Sequence, residues 1–76
     1  MDDLIHKAIA RVFLDHHVGY NRKPILVHTL VRLTAQKMGY TNPEPMLTLK
    51  IACVIYGSDK YVFIKQDTVD TVISSK

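Results

Sequence analysis

Lys60-Tyr61-Val62-Phe63-Ile64, followed after Lys65-Gln66 by Asp67-Thr68-Val69-Asp70-Thr71-Val72-Ile73, decides the class of this chain. The first five residues read as a strand, because β-branched and aromatic side chains pack well on a pleated surface. The second group has two readings. Asp67-Thr68-Val69-Asp70 resembles a helix-opening capping box with a shorter carboxylate. Thr68, Val69, Thr71, Val72 and Ile73 suit the second arm of a hairpin equally well. Taking the capping signal as the stronger makes the tail a short helix. The expected fold is then mainly α: a compact bundle of three main helices, with a short C-terminal strand and a short helix or hairpin.

The three helices lie upstream. In residues 2–15, Leu4, Ile5, Ala8, Ile9, Val12 and Phe13 recur in the steps that share one side of a helix. Asp2 and Asp3 sit where the helix dipole favours carboxylates. Leu14 falls on the polar side, where it is either incidentally exposed or part of a contact surface. Gly19 is placed to end this helix and Asn21 to cap the next, with Pro24 in its first turn. The second helix is expected to run to about Met38. Val27, Leu30, Val31, Thr34 and Met38 point inward, and Gly39 ends it. Tyr40-Thr41-Asn42-Pro43-Glu44 is a further start signal. The third helix, to about Tyr56, is apolar almost all round, so it is expected either at the centre of the core or under a partner. Cys53, flanked by Ala52 and Val54, is expected to pack in the core.

Seventy-six residues make one domain, 1–76, with limited capacity to bury its own surface. A composition 47% hydrophobic and 22% charged belongs to a folded chain rather than a disordered one. A single cysteine excludes an internal disulfide, the N-terminus is acidic where a signal peptide is basic, and no apolar run is long enough to cross a bilayer. A cytoplasmic protein without a membrane span is the expectation. Residues 1–40 carry six basic groups against three acidic ones, so phosphate or an acidic surface would meet the first half of the chain.

Enzyme chemistry finds little to work with. The four histidines, His6, His16, His17 and His28, show none of the i, i+3 or i+4 pairings of helical metal ligands. No Gly-rich phosphate loop, nucleophile elbow or His-Glu-x-x-His appears, and no carboxylates pair on a helix for acid–base work. No catalytic residue, metal or cofactor is expected.

From Ala8 to about Asp59 the chain resembles the HD-domain metal-dependent phosphohydrolases. The matching stretch runs Ala10-Arg11-Val12-Phe13-Leu14-Asp15-His16-His17-Val18-Gly19-Tyr20-Asn21-Arg22-Lys23-Pro24, then Ile25-Leu26-Val27-His28-Thr29-Leu30. The resemblance implies that His17 and His28 stand for the family's loop and helix histidines. Tyr56-Gly57 occupies the place of the metal-holding His-Asp doublet, and Asp59 comes too late to replace it. The resemblance therefore implies a truncated helical core without metal or hydrolysis.

Three functions follow as expectations. The first is a non-catalytic protein–protein interaction module, a small regulator or adaptor docking on a larger protein or pairing with itself as a homodimer. An accessory protein of a virus or mobile element has this size. Its surface would include Leu14, Tyr20, Arg22, Lys23, Arg32, Lys37 and Tyr40. The alternative is a small basic helix-turn-helix protein that binds nucleic acid, with Thr34-Ala35-Gln36-Lys37-Met38-Gly39-Tyr40-Thr41 at the turn. Its reading helix would offer only Thr48 and Lys50 as polar groups, where base edges need Arg, Asn or Gln. The third is an HD-type metal hydrolase.

Overall fold

A computed structural model describes residues 1–75. Three helices, α1 (Asp2–Asp15), α2 (Val27–Lys37) and α3 (Pro45–Tyr56), are joined by three strands, β1 (Ile25–Leu26), β2 (Tyr61–Gln66) and β3 (Val69–Ser74). The chain order is α1-β1-α2-α3-β2-β3. The strands form one antiparallel sheet in the order β1-β3-β2. The mainly α expectation is thus corrected to an α+β fold.

The correction turns on Asp67. Instead of capping a helix, it adopts a left-handed backbone (φ 58°) in the two-residue turn between β2 and β3. Two-residue hairpin turns need such a conformation, and Asp tolerates it better than most residues. The β-branched residues that follow then pair one for one with β2, from Gln66↔Val69 to Tyr61↔Ser74. Thr71 Oγ1 adds a hydrogen bond of 2.8 Å to the Ile64 carbonyl. Local capping and strand pairing competed for the same residues, and a partner strand of matching composition decided between them.

The second correction lies at the start of α2. Pro24 precedes a short strand, and Ile25 and Leu26 pair with Val72 and Thr71. Leu26 stands at the N-cap position of α2 without any side-chain cap, so Asn21 has no capping role. At the end of α1 the left-handed position is filled by His17 (φ 54°), and Val18 N–H bonds to the Phe13 carbonyl. Gly19 lies two residues further on, where a β-carbon would come within 3.0 Å of the Phe13 ring. Gly39 behaves as expected: with φ 99° it closes α2, its N–H on Gln36 and that of Tyr40 on Ala35.

The core gathers one face of each element. Ile5, Ile9 and Val12 of α1 meet Leu30, Val31 and Ala35 of α2, Ile51, Val54 and Ile55 of α3, and Val72 of β3. Leu4, expected inward, is exposed. Thr34 lies in this core with its hydroxyl lacking a hydrogen-bond partner. An unpaired buried hydroxyl loses its hydration and gains nothing in return. Thr34→Val keeps the shape and removes that group, so thermal unfolding should show stability unchanged or raised by up to about 1 kcal/mol. A loss of similar size would mean the hydroxyl is bonded in solution.

Candidate interaction surfaces

The third helix is only partly buried. Ile51, Val54 and Ile55 face the core, whereas Met46, Leu49 and Tyr56 are 73%, 59% and 54% exposed. Cys53 is exposed as well, which corrects its expected place in the core. Positions 46, 49, 53 and 56 fall in steps of three and four, so they form one apolar stripe along the outside of α3. Lys50 flanks the stripe, 3.9 Å from Asp2.

Tyr56 ties this stripe to the sheet. Its ring stacks on Phe63 with centroids 5.1 Å apart, and its hydroxyl donates to Asp70 Oδ2 at 3.1 Å. Loss of water, then the hydrogen bond and charge of Asp70, push its hydroxyl above the usual tyrosine range. A groove continues from here between α2, α3 and the hairpin, lined by His28, Val31, Thr48, Ala52, Tyr56 and Val69. The outer side of the sheet adds Val62 and Ile64, each 45% exposed.

The seven residues singled out from sequence do not form one site. Leu14, Tyr20 and Arg22 come together in a groove of about 480 Å³ between α1 and the end of the sheet. Arg22 also donates to the Phe13 carbonyl at 3.4 Å. Lys37 and Tyr40 line a separate groove with Lys7 and Arg11. Lys37 forms an ion pair with Asp15 and holds that carboxyl below its usual range. Lys23 and Arg32 are exposed and line neither of these grooves.

His16 and His17 follow α1 on the surface, and His28 is exposed on α2. His6 is hydrogen-bonded through Nδ1 to the Tyr61 hydroxyl at 2.9 Å, with the two rings stacked. Among the described residues no three His, Cys, Asp or Glu side chains converge to hold a metal ion. No helix among them is long and apolar enough to cross a membrane.

Burial pushes the Tyr61 hydroxyl up to about 12. Folding favours its neutral form, so the associated stability is complete below pH 10 and is lost as the pH rises from 10 through 12. At about 1.4 kcal/mol per unit, less what residual hydration recovers, the loss is roughly 1–2 kcal/mol. Urea melts at pH 8 and pH 11.5 should show this difference in the parent protein, and a smaller one in Tyr61→Phe. An equal difference in both would place the alkaline sensitivity elsewhere.

No protein-family model, curated protein or solved structure matches the chain.

Proposed function

We propose that the protein is a non-catalytic interaction module, a small regulator or adaptor that docks on a larger protein through the outer face of α3. One observation carries this reading: the stripe Met46, Leu49, Cys53 and Tyr56 is apolar, lies on a regular helix and faces water. Apolar anchors at helical spacing are what a complementary groove or helix on a partner protein would receive. The stripe is continuous with Phe63, whose ring supports Tyr56. Aromatic side chains seated in this way contribute much of the affinity in protein interfaces.

The test is affinity capture with the parent protein and with Leu49→Asp, each with and without nuclease. The reading expects a stoichiometric protein that survives nuclease and is lost with Leu49→Asp. Capture that is indifferent to Leu49 overturns it.

A second reading is favoured by the order of elements. Helix, short strand, two helices joined through residues 38–44 and then a hairpin, with the hairpin's second strand central in the sheet, is the order of a winged helix-turn-helix. In that use α3 would enter a DNA groove and the hairpin turn would lie against the backbone. Lys50 and Lys65 are the cations on these elements, and Glu44 stands at the α3 N-cap, where a phosphate would otherwise be welcome. If this use holds, duplex binding should weaken steeply with salt and fall on charge reversal of Lys50 and Lys65. Retention that ignores salt counts against it.

A further inference from the structure

The sheet ends on β2. In the order β1-β3-β2, this strand pairs with β3 on one side and, among the described residues, with no other strand on its second side. Its six residues, Tyr61-Val62-Phe63-Ile64-Lys65-Gln66, pair with β3 without interruption, so no bulge turns the edge away. Neither Pro nor Gly interrupts it. Natural edge strands are commonly shielded by an inward charge, a proline, a bulge or a covering element. Here the only cation within the strand, Lys65, lies near its end, beyond four consecutive apolar residues.

The phase of the β2–β3 ladder shows which groups the open side offers. Ser75 N–H bonds to the Lys60 carbonyl, so residues 60, 62, 64 and 66 direct their backbone polar groups toward β3. The N–H and C=O of Tyr61, Phe63 and Lys65 therefore point away from the sheet. We propose that this edge pairs with the same edge of a second copy of the chain, antiparallel, with a two-fold axis at Phe63.

That register is selected by three physical requirements. A two-fold axis at Phe63 places Phe63 opposite its own counterpart, and Tyr61 and Lys65 opposite the partner's Lys65 and the partner's Tyr61. All three outward-facing residues then exchange backbone hydrogen bonds with outward-facing residues. Moving the axis to Val62 or Ile64 leaves one of them without a strand partner. On the outer face, Val62 meets the partner's Ile64 in the closer, non-hydrogen-bonded pairing, so two half-exposed apolar side chains cover each other on both sides of the axis. An axis at Val62 would instead set Ile64 against the partner's Lys60. Finally, charges are compatible: Lys65 faces Tyr61 and Lys60 faces Gln66, so no like charges oppose one another within the strands. The interface is isologous and closes at two copies, giving one six-stranded sheet.

The pairing is made by the backbone edge of β2 rather than by the α3 stripe, so its test does not rest on the docking proposed above. Light scattering coupled to size exclusion, over a concentration series of the full chain, should show the mass rising toward twice 8.7 kDa. Amide hydrogen exchange on the same series should show the Tyr61, Phe63 and Lys65 amides becoming protected as dimer forms, while Val62 and Ile64 change little. Ile64→Lys puts a cation against the partner's Val62 and should weaken dimerisation by at least about tenfold. Circular dichroism will show whether that variant remains folded, and the exchange pattern of the unmodified protein decides the matter if it does not. A mass that stays at one chain at every concentration overturns the proposal. So does a dimer in which the three odd-numbered amides exchange as they do in the monomer.

Discussion

Replacing Ile51 with Ala should remove roughly 2–5 kcal/mol of stability, the usual result of emptying a fully buried branched aliphatic site. A chain of this length has roughly 4–11 kcal/mol in total, so the substitution should remove a large share of the margin and, at the lower end, unfold the chain. Ile51 is the first buried residue of α3 and belongs to the cluster that includes Ile5, Ile9, Leu30 and Val72. Where the variant still folds, the urea midpoint should fall by roughly a fifth or more with the slope unchanged, as happens when stability alone is altered. Met46→Ala, on the opposite side of the same helix, should change stability by less than about 0.5 kcal/mol. Comparable effects at the two sites would mean that α3 is seated differently from its position here.

The second large effect concerns binding. Leu49→Asp places a carboxylate in the middle of the apolar stripe, where a docked partner would strip its water without supplying a charge in return. The expected loss is at least about 2 kcal/mol of affinity, close to thirtyfold, measured by titration against the captured protein. Stability should change little, since the side chain is 59% exposed in the isolated chain. Leu14→Asp, in the groove with Tyr20 and Arg22, should have a smaller effect. The reverse ranking would shift the docking surface from α3 to that groove.

The helices were readable from sequence to different degrees. Every signal for α1 lies within its own fourteen residues, and the observed Asp2–Asp15 span matches the periodicity. The inward face of α2 was equally legible through Val27, Leu30, Val31 and Thr34, all buried. Its start was not, because Ile25 and Leu26 become a strand only by pairing with residues more than forty positions away. The tail was ambiguous for the same reason, as Asp67 serves either a cap or a turn and only β2 distinguishes them. For α3, near-uniform apolarity announced a surplus, but without amphipathic contrast it could not show which side would be left outside. Cys53 was misplaced on that account. The exposed basic residues were easy to notice individually, and the sequence held no sign that Arg22 and Lys37 line separate grooves while Lys23 and Arg32 line neither.

The order β1-β3-β2 has one further consequence. The central strand is the last of the three in chain order, and β1 and β2 share no hydrogen bonds with each other. Each is attached to the sheet through β3 alone. Opening β3 therefore removes the hydrogen-bonded neighbour of both outer strands at once and leaves them held only by side-chain packing on the helices, as Tyr61 is on His6 and Phe63 on Tyr56, while either outer strand can detach and leave the other pair's ladder intact. The sheet has a keystone, and it lies between Val69 and Ser74.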